Sequence, residues 1–276
     1  MKNYNITIDG IQIEIIESEG DGNPIFLFHG NSGSAESFSG FLKSDFGKAN
    51  RLIAVSFPNH GGSDVQNNDN QGTSILEMGE FTLKVINYFA PKKYILAGLS
   101  LGGHALLEVL PKHVNACGLI LMSSPPISLD TLSQAFLEDP TGGLLFSDDM
   151  SEVEKKHFCA SFLYEPSDEK ISEIMYSLER TRGQFRSNLG ASLAKGLLED
   201  EVENYLNSNI PIILIGGKQD KFIDVEYYKL LPKGKAWSNR TYMFDNCGHA
   251  ILLESLENVV SILTEYIQST ELINWN

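Results

Sequence analysis

Cysteine is scarce in this chain, and the few cysteines present do not indicate disulfides. Cys117, Cys159 and Cys247 are odd in number and lie far apart, whereas a disulfide framework needs paired cysteines. The chain also lacks an apolar stretch long enough to span a bilayer, and its first residues contain no apolar segment typical of a signal peptide. These features predict a protein of the reducing cytoplasm that does not insert into a membrane.

Positive charge is in short supply as well. The sequence contains 36 acidic and 21 basic residues, which gives a formal net charge of −15 at pH 7. A field of this sign repels the phosphates of nucleic acids and of anionic lipids. We therefore expect neither nucleic acid nor a membrane surface as a partner.

Motifs for metals and nucleotides are missing too. The six histidines show no spacing typical of metal ligands. The glycines Gly98, Gly102 and Gly103 do not match the G-x-G-x-x-G pattern of a dinucleotide-binding loop. The sequence thus predicts neither a metal nor a cofactor.

Apolar residues, by contrast, are plentiful and regularly arranged. They make up 42% of the 276 residues, which is enough to bury one large α/β core. An alternating pattern around Asp9 and Gly10 predicts a β-hairpin over residues 4–17. Continuous apolar runs predict six further strands, at residues 25–28, 51–56, 94–97, 116–122, 210–215 and 240–244.

The regular alternation of strands and helices stops at residues 127–205, where we predict no strand. Apolar residues at helical spacing predict helices at 129–137, 153–164, 170–182 and 189–205 instead. Arg180, Arg182 and Arg186 cluster in this region. We favour a solvated charged face for these arginines, with binding of a carboxylate or a phosphate as the alternative.

The sequence Gly98-Leu99-Ser100-Leu101-Gly102 lies between a predicted strand and a helix that we expect to begin near Ala105. A G-x-S-x-G motif in this context is typical of a nucleophile elbow. The serine then lies at the tip of a strained turn with a positive φ angle, and the glycines allow neighbouring chain segments to pass closely. We therefore interpret Ser100 as a nucleophile and the backbone amide of Leu101 as a donor to a developing oxyanion.

Further motifs resemble those of the α/β-hydrolase superfamily. His29-Gly30 follows the third predicted strand, and Gly248-His249 follows the last one. Residues 56–64 are similar to the family's Asp-x-Pro-Gly-His-Gly-x-Ser loop. Two positions depart from that pattern, since Ser56 stands where the family has Asp and Asn59 where it has Gly.

This resemblance implies the architecture of the chain. It implies an α/β-hydrolase fold, with a mostly parallel eight-stranded sheet and helices on both faces. Residues 1–126 and 206–276 would form the core domain, and residues 127–205 would form a helical lid inserted into it. Residues 65–73, by their composition, are expected to form a polar turn.

The resemblance also implies the site residues. Ser100, Asp220 and His249 would form a catalytic triad in the chain order that the family uses. The backbone amides of Asn31 and Leu101 would form the oxyanion hole. Each of these residues follows a predicted strand, and parallel strands present their carboxyl ends at one edge of the sheet, so the groups can converge there.

Other polar residues near these motifs are interpreted as structural. We expect His29 and His60 to brace their loops. Asp224 is expected inside a helix, where it would cap rather than orient a histidine. Cys247 is not taken as the nucleophile because it lacks an elbow.

The function implied is hydrolysis of a small-molecule carboxylic ester, thioester or lactone through an acyl-enzyme on Ser100. The same triad serves hydrolysis of carbon–carbon bonds and acyl transfer, so these reactions remain alternatives. A non-catalytic ligand-binding protein on the same fold is a further alternative. The sequence carries no signal for an oligomeric state.

Overall fold

The structure of the chain is a computed structural model that describes residues 1–65, 74–232, 234–269 and 275. The polar turn predicted for residues 65–73 lies outside the described residues, apart from Val65.

An eight-stranded sheet forms the centre of the fold, as the sequence predicts. Its strands are β1 (Lys2–Ile8), β2 (Ile11–Glu17), β3 (Ile25–Phe28), β4 (Leu52–Val55), β5 (Tyr94–Leu99), β6 (Ala116–Met122), β7 (Ile212–Gly217) and β8 (Ala236–Phe244). They are arranged in the order β1-β2-β4-β3-β5-β6-β7-β8. β2 pairs antiparallel with β1 and with β4, and every other neighbouring pair is parallel. The carboxyl ends of β3 to β8 therefore share one edge of the sheet.

The antiparallel edge begins with the predicted hairpin. Asp9 has φ 51° and Gly10 has φ 84°, and a two-residue hairpin turn of type I′ needs positive φ at both central positions. Asp tolerates this conformation and Gly adopts it without strain.

Helices cover both faces of the sheet. They are α1 (Ser39–Lys43), α2 (Asp45–Ala49), α3 (Ile75–Phe89), α4 (Leu101–Glu108), α5 (Leu132–Ala135), α6 (Glu152–Ser161), α7 (Asp168–Leu178), α8 (Gly183–Ala194), α9 (Glu201–Asn207), α10 (Tyr227–Leu230), α11 (Ile251–Glu254) and α12 (Leu256–Gln268). Short 3₁₀ turns occur at Ala35–Phe38, Leu110–Lys112 and Leu144–Phe146.

The sheet separates two apolar cores. Alternate residues of a strand point to opposite faces. In β3, Phe26 and Phe28 join the core beneath α3 and α4, whereas Ile25 and Leu27 join the core beneath α1 and α12. All four residues are fully buried, which explains why this strand is a continuous apolar run.

The segment between β6 and β7 contains α5 to α9, and none of its residues, all of which the structure describes, joins the sheet. The single helix predicted over residues 189–205 is wrong. α8 ends at Ala194, Gly196 adopts φ 69°, and α9 begins only at Glu201. The break has a local cause, because the Asp200 carboxylate accepts a hydrogen bond from the Glu203 amide at 2.8 Å and caps the new helix.

The arginine cluster is only partly solvated. Arg182 is exposed, but Arg186 is 4% exposed, so the prediction of a solvated face is wrong for this residue. Its guanidinium donates to the carbonyl oxygens of Ser147 and Asp148 at 2.6 and 2.9 Å and to Ser32 Oγ at 3.4 Å. Arg186 therefore ties the segment between β6 and β7 to the loop after β3.

The two departures in the loop after β4 have structural explanations. Glu14, on β2, places its buried carboxylate beside Ser56, whose Oγ donates to Oε2 at 2.7 Å. The Gly62 amide donates to the same oxygen at 2.9 Å, and Arg180 lies 3.4 Å from Oε1. A carboxylate from a neighbouring strand thus satisfies donors of this loop. Asn59 has φ 69°, a conformation that Asn adopts more readily than most residues.

The described residues contain neither a membrane-spanning helix nor a cluster of metal-binding side chains. No helix among them combines the length and the apolar character needed to cross a membrane. No three of their His, Cys, Asp and Glu side chains come together in a way that could hold a metal ion.

We expect Glu14→Ala to lower the free energy of unfolding by about 2–3 kcal/mol, because the buried hydroxyl group of Ser56 and the amide of Gly62 lose their acceptor. Urea denaturation at neutral pH measures this change. Glu19→Ala is the matched control, since the Glu19 side chain is 75% exposed, and its unfolding midpoint should stay close to that of the wild type. Equal midpoints for Glu14→Ala and the wild type would contradict the role given to Glu14.

Candidate active site

Ser100 occupies a strained turn between β5 and α4. Its backbone has φ 50° and ψ −122°, a conformation that non-glycine residues rarely adopt and that costs about 1–3 kcal/mol. The strain is held by neighbouring structure, since the Ser100 amide donates to Met122 O at 2.8 Å and its carbonyl accepts from the Gly103 amide at 2.8 Å. The helix begins at Leu101, four residues earlier than predicted.

The glycines on either side of Ser100 are required by close approach of the backbone. A Cβ at Gly98 would overlap the Cα of Gly103, and a Cβ at Gly102 would overlap the carbonyl oxygen of Phe28. The strand-to-helix turn therefore accommodates only hydrogen at these two positions.

His249 and Asp220 form a hydrogen-bonded pair at the same edge of the sheet. The distance between His249 Nδ1 and Asp220 Oδ2 is 2.7 Å. Asp220 follows β7 and His249 follows β8, and these two strands are neighbours. Both residues are buried. With the carboxylate as acceptor, the imidazole carries its proton on Nδ1 and presents a lone pair on Nε2.

Local hydrogen bonds hold the Asp220 carboxylate in place. Its second oxygen, Oδ1, accepts from the amides of Phe222 and Ile223 at 2.8 and 3.2 Å. Asp224 lies before α10 and not inside a helix, so that expectation is wrong; its carboxylate accepts from the Glu226 amide at 2.9 Å. Asp220 is thus the carboxylate that the structure brings to His249.

Asn31 and Leu101 lie beside Ser100, and both line the same cavity as Ser100 and His249. Among the described residues, neither backbone amide donates a hydrogen bond to a protein acceptor. The Asn31 side chain is held at both ends: its Nδ2 donates to Leu145 O at 3.0 Å, and its Oδ1 accepts from Ser32 Oγ at 3.0 Å. The two amides are therefore free to bind an oxygen atom of a ligand.

Two cavities meet at Ser100. The larger has a volume of about 720 Å³ and a mostly apolar wall, to which the segment between β6 and β7 contributes. Its apolar lining residues include Leu101, Ile127, Phe136, Leu145, Phe162 and Leu193. The smaller has a volume of about 80 Å³ and is lined by Gly30, Glu173 and Leu253, among others. Ser100 and His249 line both cavities.

His29 and His60 are placed as loop braces, in agreement with the sequence analysis. His29 Nε2 accepts from the Phe57 amide at 3.0 Å, and Nδ1 lies 2.8 Å from Gly30 O. His60 Nδ1 lies 2.9 Å from Pro58 O. Burial lowers the pKa of His29 to about 4 and lowers the pKa of His60 well below its ordinary value. Both rings are neutral at pH 7.

The Cys247 thiol is unsuited to nucleophilic attack. It is fully buried, and burial raises its pKa to about 12. A thiol attacks as the thiolate, so this group is inert at neutral pH.

Sequence reasoning missed a contact that supports His249. Ser123, directly after β6, donates through Oγ to the backbone carbonyl of His249 at 3.0 Å. Its φ is 49°. The signal available in the sequence was a polar residue at the carboxyl end of a buried strand, which is where ligand-binding groups of α/β sheets gather.

The chain is similar to known proteins over most of its length. A family model described as alpha/beta hydrolase fold matches residues 23–256. The structure is similar to that of a variant of the N-acyl homoserine lactonase AidH in complex with N-hexanoyl homoserine lactone, with a TM-score of 0.91, 23% identity and 99% of each chain covered. It is also similar to an esterase from Exiguobacterium antarcticum, with a TM-score of 0.75, 19% identity and coverage of 98% of this chain and 100% of that one. A sequence relative is monoacylglycerol lipase abhd6-A of Xenopus laevis, 19% identical over 90% of this chain and 76% of the lipase.

We expect Gly102→Ala to destabilise the fold by about 3 kcal/mol or more, because the new methyl group meets the backbone of Phe28. Gly40→Ala, on α1, is the control, since a Cβ there would lie 3.5 Å from Leu256 Cδ2, at ordinary contact distance. Thermal unfolding of both variants tests the claim. A Gly102→Ala protein as stable as Gly40→Ala would show that the turn has room for a side chain.

Proposed function

This chain belongs to the alpha/beta hydrolase family, and on that premise we propose that it is a serine hydrolase that cleaves a small-molecule carboxylic ester through an acyl-enzyme on Ser100. One observation carries the proposal. A serine held in a strained turn lines the same cavity as a histidine whose Nδ1 is bonded to a buried carboxylate. This combination supplies a nucleophile, a base and an orienting carboxylate, the three groups that together activate a hydroxyl group for nucleophilic attack.

The proposed reaction has two steps. His249 Nε2 takes the hydroxyl proton of Ser100 while Oγ bonds to the carbonyl carbon of the ester, and it then gives that proton to the departing alcohol oxygen. In the second step His249 takes a proton from water, the water oxygen bonds to the acyl carbon, and the proton returns to Ser100 Oγ as the carboxylic acid leaves. Asp220 keeps the imidazole oriented and stabilises its charged form in both steps.

The negative charge that develops on the carbonyl oxygen would be bound by the backbone amides of Asn31 and Leu101. The free state of both donors supports this assignment, since neither donates to another described residue. The Leu101 amide also opens α4, where the helix dipole favours negative charge. A donor of this kind typically contributes about 3 kcal/mol to the stability of the transition state.

The cavities support a substrate with a sizeable apolar part. A cavity of about 720 Å³ with mostly apolar walls accommodates a small organic molecule rather than a polymer. The AidH neighbour binds N-hexanoyl homoserine lactone, a cyclic ester with an apolar acyl chain, which supports including lactones in the substrate class. The name of the lipase relative points to esters of glycerol with one acyl chain. The ester bond and the apolar chain are common to both.

We further propose that residues 127–205 act as a lid on a core formed by residues 1–126 and 206–276. Support comes from the larger cavity, whose wall includes Phe136, Leu145 and Phe162 from that segment. A cytoplasmic location is likewise proposed, and the three free thiols support it.

We expect wild-type protein to hydrolyse p-nitrophenyl esters and to be labelled by a fluorophosphonate, and Ser100→Ala to be unlabelled. Turnover of the variant should fall by roughly 10⁵-fold or more, because the nucleophile is absent. Esters of graded chain length report how the apolar cavity is used. A well-folded wild type that is neither labelled nor active would support a ligand-binding protein instead.

We expect Asp220→Asn to lower kcat on the order of a thousandfold or more, since an amide no longer fixes the required tautomer of His249. Asp245→Asn is the matched control. Asp245 lies in the turn after β8, its side chain is 73% exposed, and it pairs with Lys218 at 2.9 Å. Steady-state hydrolysis of one ester by both variants is the measurement. The opposite ranking would give Asp245 the role assigned here to Asp220.

A further inference from the structure

The larger cavity contains a buried polar group that the proposed mechanism does not use. Its lining includes six polar residues, Asn31, Ser100, His104, Asp139, Ser187 and His249. Three of them, Asn31, Ser100 and His249, belong to the proposed catalytic centre. Asp139 and Ser187 are only partly buried. His104 is the remaining one, and it is 5% exposed.

Asp139 and Ser187 are already engaged in local hydrogen bonds. The Asp139 carboxylate accepts from the backbone amides of Thr141 and Gly143 at 2.7 and 2.9 Å. Ser187 Oγ donates to Gln184 O at 3.2 Å. Neither residue is a buried group whose polar atom still needs a partner.

His104 lies one helical turn after Ser100. Ser100 itself has non-helical backbone angles, but its carbonyl oxygen accepts a hydrogen bond from the His104 amide at 3.2 Å. Both residues line the larger cavity. A substrate bonded to Ser100 would therefore occupy the cavity that His104 also lines.

A buried carboxylate fixes the His104 ring. Nδ1 lies 2.9 Å from Oε2 and 3.1 Å from Oε1 of Glu201, which is fully buried. The Ile127 amide also donates to Oε2, at 3.1 Å. Since Nδ1 is used by Glu201, the ring nitrogen left to face a ligand is Nε2. No hydrogen bond joins Nε2 to any residue that the structure describes.

An oriented imidazole nitrogen in an apolar wall favours a polar group on the ligand at that point. A neutral ring with its proton on Nδ1 offers a lone pair at Nε2, whereas a proton on Nε2 offers a donor. A hydroxyl group satisfies either state because it both donates and accepts. An unsubstituted chain satisfies neither state and leaves a polar atom of the cavity wall without a partner, which disfavours its binding.

We propose that His104, oriented by Glu201, is a specificity-determining residue that selects substrates with a hydroxyl group on the apolar chain near the ester. This inference rests on the proposed function. It adds to that function a substrate feature, a hydroxylated chain, that the triad itself does not require.

The alternative interpretation is that the pair of His104 and Glu201 has only a structural role. Glu201 is the first residue of α9, and it connects this helix to two other parts of the chain. These are α4, through His104, and the loop after β6, through the amide of Ile127. A tie of this kind would depend on the Nδ1 contact alone. The two interpretations therefore differ in whether Nε2 is needed, and a variant that removes Nε2 but keeps a donor to Glu201 distinguishes them.

His104→Asn is that variant. The side-chain amide nitrogen of Asn takes the place of Nδ1 and still donates to Glu201. The amide oxygen takes the place of Cδ2, and no atom reaches the position of Nε2. The experiment measures kcat/KM for p-nitrophenyl esters of one chain length, either unsubstituted or with a hydroxyl group on successive carbons near the ester. The ratio of the two values is independent of the amount of folded enzyme, so partial unfolding of a variant does not affect it.

For the best-placed hydroxyl group we expect the ratio of hydroxylated to unsubstituted ester to fall about tenfold in His104→Asn, the loss of one hydrogen bond. Ser187→Ala is the matched control, since it removes a polar group from the same cavity. Its ratio should equal that of the wild type.

Equal ratios in wild type and His104→Asn at every hydroxyl position would overturn this inference. The pair of His104 and Glu201 would then have only a structural role. The proposed function would still stand if those esters are hydrolysed and Ser100→Ala is inactive. Absence of any Ser100-dependent hydrolysis would instead overturn the proposed function itself, and with it this inference.

Discussion

The hydrogen bond between Asp220 and His249 is the interaction on which the candidate site depends. It joins the loops after two neighbouring parallel strands, β7 and β8, and it spans 2.7 Å. Two backbone amides donate to one oxygen of the Asp220 carboxylate. Ser123, directly after β6, donates to the backbone carbonyl of His249. The sheet thus serves as a rigid frame that positions an imidazole, and Ser100 projects from the same edge.

α4 connects the proposed nucleophile, Ser100, with the proposed specificity-determining residue, His104. Every residue of this helix is buried, so its position is set by packing on both sides. Ser100 directly precedes this helix, whose first turn contains the amide of Leu101 and the side chain of His104. Farther along, Glu108 accepts from the Glu199 amide at 2.9 Å, and burial raises its pKa to about 8. The helix that follows the proposed nucleophile therefore also binds the end of the segment between β6 and β7.

Hydrogen bonds in the turn and in the loops around it hold the strained backbone conformation of Ser100. The positive φ of Ser100 is retained because neighbouring backbone groups determine the conformation of the turn. The loop after β4 is stabilised by the Glu14 carboxylate, although the residue usual in this family is absent at Ser56. Arg186 performs a similar task between Ser32 and Asp148. Buried polar groups thus maintain loops at the carboxyl edge of the sheet.

The sequence predicts the strands of the sheet and the chain order of Ser100, Asp220 and His249, because strand periodicity, the elbow glycines and strand-end positions are local patterns. It did not determine where α8 ends, since a left-handed Gly196 and the cap at Asp200 interrupt an apolar pattern that would otherwise continue. Nor did it determine the partners of Arg186, Glu14 and His104, which lie far away along the chain. These contacts and the cavity wall are visible only in the tertiary structure. They depend on how distant segments of the chain pack together, and not on the spacing of residues within one segment.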